Sequence, residues 1–200
     1  MFYRICRRIL PLTLALLLII SCVPVAYTAD FSDVPRTHWA YSYIHDAVDR
    51  KLIQGYGDWR FHPEEPVSVQ AFLSMVCRTD GLDDRQLQSG SNWADPAVAY
   101  GSYFGWFEPE ELGVRTASIS REFATQLLIC AFYPEAVGLG EELTFRDQDA
   151  ISPKRLPYVR AAAALGLIEG YEDGTFRPEQ GLTTAGAAKL LSRCADRPTA

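Results

Sequence analysis

The sequence predicts an all-α chain of three helix-loop-helix repeats that pack on one another. Two observations carry that prediction. The stretches GYGDWRFHP (residues 55–63) and GYEDGTFRP (residues 170–178) share Gly, Tyr, Asp, Phe and Pro at the same places, 115 residues apart. The agreement also extends beyond the loop, because Ile53 to Ser68 and Ile168 to Thr183 are both 15 steps, so the loop and the apolar helix after it stay in register without a gap. Self-similarity of this kind decides architecture before any single residue does.

Taken in order, the first 29 residues differ from the rest. Arg4, Arg7 and Arg8 precede the apolar run ILPLTLALLLII, and no acidic residue occurs before Asp30. That is the make-up of a secretory signal. An uncleaved anchor helix is the alternative, since the apolar stretch reaches Ala26, near the minimum that spans a bilayer; Pro11 and the short dense core favour cleavage. Cleavage is expected near Ala29, because the spacer between Cys22 and Phe31 is short for a tethered lipoprotein. Ile19-Ile20-Ser21-Cys22 nevertheless resembles a lipobox, and lipidation of Cys22 stays open as a second reading.

The first unit follows over residues 30–90. Trp39, Tyr43/Ile44, Ala47/Val48 and Leu52 form the apolar stripe of an amphipathic helix. Gly55 and Gly170 are expected to end helix one by accepting the left-handed conformation. The connector then places Tyr and Phe on either side of a polar turn, as plugs onto the helices. Trp59 stands where the third unit has Gly174, and because a Trp resists positive φ the two connectors are expected to differ there. Helix two begins at Ser68, Ser120 or Thr183, all good N-caps.

The middle unit, residues 91–142, is a degenerate copy. SNWADPAVAYGSYFGWF puts Trp93 in the place of Trp39 and Gly105-Trp106-Phe107 in that of Lys51-Leu52-Ile53, while the connector EPEELGVRT is shorter and has lost the pattern. The third unit, residues 143–200, opens its first helix with Ser152-Pro153, a cap followed by Pro at the first helical position. A unit of this size buries too little apolar surface alone, so the three must pack together.

Composition and charge exclude several functions. The 200 residues are 48% apolar and 22% charged, the make-up of a globular chain. Setting aside the three Arg of the signal leaves 16 Lys and Arg against 25 Asp and Glu, a formal charge of −9, which disfavours nucleic acid as a partner. Cys77, Cys130 and Cys194 lie at or near the ends of apolar helical runs, where small buried hydrophobes are expected. The chain has no GxSxG, no HExxH and no Gly-rich phosphate loop. The pairs Glu64-Glu65, Glu110-Glu111 and Glu141-Glu142 lie in or beside connectors, where solvated charge is expected. A calcium loop requires Glu at its twelfth position, which here is Gln180. No catalytic, metal or cofactor site is therefore expected.

These residues resemble the S-layer homology (SLH) domains of bacterial envelope proteins, whose pattern runs F-x-D-V…HWA…GLI.GY.DGTF.P…ITRAE.A.LL.R. The first unit matches at Phe31, Asp33, Val34, His38, Trp39, Ala40, Gly55, Tyr56, Asp58, Phe61 and Pro63. The third matches at Phe145, Asp147, Gly166, Leu167, Ile168, Gly170, Tyr171, Asp173, Gly174, Thr175, Phe176 and Pro178. The resemblance implies a pseudo-trimer of three lobes whose grooves bind secondary cell-wall polysaccharide, often pyruvylated, and so a peptidoglycan-associated protein at a bacterial surface. It touches the membrane only through a signal or lipid anchor.

In that family an Arg of T-R-A-E pairs with the ligand carboxylate, and aromatic side chains contact the sugars. The chain departs from this pattern: the segment reads Ser68-Val69-Gln70-Ala71, Ser120-Arg121-Glu122-Phe123 and Thr183-Thr184-Ala185-Gly186, so only the middle copy keeps the Arg. Lys154 stands roughly where the third unit would carry its Trp. Candidate polysaccharide contacts are Trp39, Trp93, Arg121, Arg60 and Arg177. For Trp39 a packing plug, and for the three Arg a solvated role, are the competing readings. Wall association without catalysis is the expected function; the alternative is an envelope scaffold for protein partners that has lost most sugar contacts.

Overall fold

The computed structural model describes residues 30–55, 58–87, 92–140 and 142–196. The expected signal with Cys22, and Tyr56 of the first connector, lie outside the described residues. The helices are α1 (Tyr41–Asp49), α2 (Val69–Thr79), the single turn α3 (Asp84–Leu87), α4 (Asp95–Tyr103), α5 (Arg121–Phe132), α6 (Leu156–Ala164) and α7 (Thr184–Ala195). Among the described residues β structure is limited to isolated bridges, so the chain is all-α as expected. No described helix is long and apolar enough to cross a membrane.

The second helix of each unit starts where its sequence says. Ser68 Oγ accepts from the Ala71 amide, Ser120 Oγ from Phe123 and Thr183 Oγ1 from Gly186, at 3.3, 3.3 and 3.1 Å. The two amides before each of those are taken by carbonyls of another unit's connector. Val69 and Gln70 donate to Ala117 and Arg115, Arg121 and Glu122 to Gln180 and Pro178, and Thr184 and Ala185 to Glu65 and Pro63. At these three helix starts the first three amides are all satisfied.

The first helices depart from expectation at both ends. α6 begins at Leu156, not at Ser152-Pro153, because Ser152 accepts from the Arg155 and Leu156 amides and closes a turn ahead of the helix. α1 begins at Tyr41, its approach capped by His38 Nδ1, which accepts from the Ala40 amide at 3.2 Å; Asn92 Oδ1 does the same for Ala94 at 3.1 Å. The stop lies four residues before Gly55 and Gly170. Lys51, Gly105 and Gly166 hold φ of 61°, 68° and 68° and close the helix by donating back to Val48, Ser102 and Ala163. Gly55 is required for a different reason, since a Cβ there would lie 2.3 Å from the Phe31 ring.

The units interlock. α2 packs on α4, α5 on α6, and α7 on α1, so each pair joins helix two of one unit to helix one of another. At the centre, the Val67 amide donates to Leu182, Leu182 to Ile119 and Ile119 back to Val67, each at 2.9 Å. The three residues close a backbone ring, and their buried side chains join the core. Phe61, Phe72 and Phe176 are fully buried, each worth roughly 1.5–3 kcal/mol of apolar burial.

The connectors of units one and three are built alike. Asp33 accepts from the Phe61 and His62 amides at 2.9 and 2.8 Å, and Asp147 from Phe176 and Arg177, both at 2.7 Å. This two-pronged clamp holds His62 and Arg177 at φ of 55° and 57°. Trp59 also adopts φ of 64° against 78° at Gly174, so the expected difference between the copies is absent from the backbone. The strain is held because the flanking chain fixes the turn: the Ser32 amide donates to the Trp59 carbonyl as Arg146 does to Gly174.

Candidate functional site

A cavity of about 740 Å³ opens where three units meet. Its walls are the third connector with Tyr171, Phe176 and Arg177, helix α7 with Lys189, the start of α5 with Arg121, and Trp39 from the first unit. Three of the five sequence candidates therefore converge. Trp39 is 56% exposed, so it is not the expected member of the α1 stripe; Ile44, Ala47 and Leu52 fill the core without it. Arg60 is exposed on the first connector, and Trp93, 50% exposed, leads into α4; neither lines the cavity.

Arg121 is the most constrained charge here. Its guanidinium lies over the rings of Tyr171 and Phe176 at 4.8 and 5.0 Å. Nε donates to the Phe176 carbonyl at 2.8 Å and one Nη to the Glu169 carbonyl at 3.4 Å. Burial pushes its pKa down, against the opposing pull of Tyr171, and among the described residues it forms no ion pair. Because the first amides of α5 are spent on Gln180 and Pro178, an anion entering the cavity meets the guanidinium and not the helix terminus.

The other cations are already neutralised. Arg177 pairs with Asp173 at 2.8 Å and stacks on Tyr171 at 4.0 Å, while Lys189 pairs with Glu169 at 3.0 Å. Thr175 and Arg177 hold the Asp173 carboxyl far below its usual range, and Arg193 and Lys189 lower that of Glu169. Both Asp173 oxygens are thereby committed to the turn. The cavity thus offers one uncompensated cation, an aromatic floor and a half-exposed indole. Chemically, a carboxylate can pair with the guanidinium while a flat apolar face lies against the rings.

Sequence reasoning missed the state of Glu111, expected to be solvated. Its side chain is only 8% exposed and pairs with Lys154 at 3.3 Å and Arg155 at 3.7 Å. Glu122, also buried, holds Arg155 at 2.9 Å. The acidic residues had no visible partners because Lys154 and Arg155 lie more than thirty residues further along the chain. The cysteines met expectation at Cys77 and Cys194, both buried; Cys130 is half-buried, and burial pushes the Cys77 and Cys130 thiols up to about 12 and about 11.

Comparison with known proteins matches residues 30–68 and 144–184 to the S-layer homology domain. An endoglucanase of Bacillus sp. (strain KSM-635) is 30% identical over 177 residues, covering 81% of this chain and 18% of that protein. An amylopullulanase of Thermoanaerobacterium thermosulfurigenes is 26% identical over 82% of the chain and 9% of its own length. Cell surface glycoprotein 1 of Acetivibrio thermocellus is 25% identical over 74% and 7%. The chain spans less than a fifth of each of these relatives, so the likeness covers one portion of them.

Proposed function

Since two segments of the chain are S-layer homology domains, we propose that it associates non-covalently with the wall of a bacterial cell by holding a secondary cell-wall polysaccharide in the cavity at Arg121. The observation that carries this is the half-buried guanidinium, held by two carbonyls and two rings but by no ion pair among the described residues, since an anion at that place would gain a charge-assisted bond. A pyruvylated sugar supplies a carboxylate of that kind on an otherwise neutral pyranose, and Trp39 offers its face from the opposite unit. Arg60 and Trp93 lie outside this cavity and take no part in this reading. The ring of Val67, Ile119 and Leu182 supports the three-lobed pseudo-trimer; the reading keeps units at 30–90, 91–142 and 143–200, and, from the sequence alone, an export signal at 1–29.

The chain acts without catalysis in this reading; its relatives named as glucanases match it over a minor share of their length. A second reading, an envelope scaffold for protein partners, is favoured by Val69 and Thr184 standing where the other two units would carry Arg. The two separate in one assay, in which residues 30–200 are bound to cell-wall sacculi before and after the secondary polymer is stripped. Loss of binding on stripping, and in Arg121→Ala, is expected; retention on stripped walls sinks the polysaccharide reading.

A further inference from the structure

One step round the ring from the cavity, the same four pieces meet again with different side chains. The middle connector carries Glu111, helix α5 behind it carries Glu122 and Gln126, the approach to α6 carries Lys154 and Arg155, and the start of α2 carries Val69. Lys154 stands where the cavity has Trp39, Gln126 where it has Lys189, and Val69 where it has Arg121. Two cations are gathered here, and the anion between them belongs to the chain.

Arg155 is fixed without help from Glu111. Its Nη1 donates to Glu122 Oε1 at 2.9 Å, its Nε to Gln126 Oε1 at 3.2 Å, and its plane lies over the Phe123 ring at 4.8 Å. Glu122 is anchored in turn by the Ser152 amide at 2.9 Å. Glu111 is held less well. Its Oε2 accepts from the Glu108 amide at 2.8 Å and from Gln126 Nε2 at 3.3 Å, and pairs with Lys154 at 3.3 Å. Its Oε1 reaches Arg155 Nη2 only at 3.7 Å and, though buried, makes no hydrogen bond among the described residues. A carboxylate held in this way balances charge without matching the geometry of its partners, and a better-placed planar carboxylate would displace it.

We propose that Lys154 and Arg155 form a second carboxylate-binding site whose resident anion is Glu111, so that the chain ligates this groove itself and a sugar carboxylate enters only when Glu111 is withdrawn. The proposal extends the groove reading to a new place, and it makes the chain a single-site binder through self-occupancy as well as through the loss of Arg. The test is an NMR titration of the full chain with D-glucuronate, following the Arg155 and Arg121 side-chain Nε–H signals in wild type, Glu111→Gln and Glu111→Gln/Lys154→Ala. In Glu111→Gln the dissociation constant read at Arg155 should fall at least tenfold relative to wild type, and the gain should be lost in the double variant.

An Arg155 response equal in wild type and Glu111→Gln, or one that ignores Lys154→Ala, overturns the proposal. Absence of any Arg121 response in all three proteins instead counts against the cavity reading and leaves this one standing. Should Glu111→Gln fail to fold, Glu111→Asp, which keeps the charge but shortens its reach by one methylene, must still tighten glucuronate at Arg155; no tightening in that variant overturns the proposal.

Discussion

Replacing Asp147 by Ala, beside the same change at Asp33, sets two equal perturbations at unequal distances from the cavity. Each carboxylate accepts two backbone hydrogen bonds at 2.7–2.9 Å. Bonds to a charged acceptor contribute about 1.5–3 kcal/mol each, and the part-exposed setting favours the low end. Against that, releasing His62 or Arg177 from positive φ returns about 1 kcal/mol of strain. Either variant should therefore lose about 2–3 kcal/mol, seen in urea as a midpoint lowered by roughly 1 M. Binding should not follow stability. Asp147 holds Phe176, whose carbonyl and ring fix Arg121, whereas Asp33 holds a connector that does not line the cavity. Wall retention at a temperature where both variants are folded should drop in Asp147→Ala and stay near wild type in Asp33→Ala. Equal loss of binding in the two, or a stability change below about 1 kcal/mol in both, refutes the assignment of the clamp.

Further outcomes follow from the same geometry. Arg121→Lys should rescue little of the binding lost in Arg121→Ala, since an ammonium cannot keep the Phe176 bond, the ring stacking and a two-point contact with a carboxylate together; pull-down on unstripped walls measures it. Lys51→Gly should raise stability by about 0.5–1 kcal/mol in denaturant unfolding, because Gly accepts the positive φ that Lys51 holds. Gly55→Ala should lower stability by about 1–3 kcal/mol through overpacking against Phe31.

Stability should also fall in acid. Burial pushes the Asp33 carboxyl up, but the Phe61 and His62 amides outweigh it, and its pKa lies below the usual value. Glu169, bonded by Arg193 and Lys189, is lowered too. A carboxyl depressed on folding contributes stability above its unfolded pKa and loses it as the pH falls through the folded one. Thermal melts should therefore decline below roughly pH 4, and Asp33→Asn should flatten part of that decline.

What could be read from sequence was whatever one unit decides alone. Ser68, Ser120 and Thr183 cap helices because the partner amide is three residues on, and the connector repeat is local as well. Gly55 and Gly170 misled because two demands on Gly, positive φ and a missing side chain, look the same in a sequence; the helix stop had passed to Lys51 in the first unit, where no Gly marks it. Trp59 at positive φ was illegible for a related reason, since the bonds that hold it come from the F-x-D segment well upstream. The convergence of Trp39, Arg121 and the third connector required knowing that helices pair across units, which repeat spacing leaves undetermined. Glu111 was hidden by the same fact.

The closed circuit of Val67, Ile119 and Leu182 also bears on how the chain gains and loses its fold. An open array of repeats can fray from an end, shedding one unit while the next keeps its neighbour. Here there is no end to shed: removing any one unit breaks two of the three central bonds and strips one remaining helix start of the carbonyls that complete it. Formation is symmetrical in the same sense, because the bond between Val67 and Leu182 cannot form until two residues 115 positions apart have been brought together. The units that resemble independent repeats on paper are one cooperative body, slow to close and all-or-none to open.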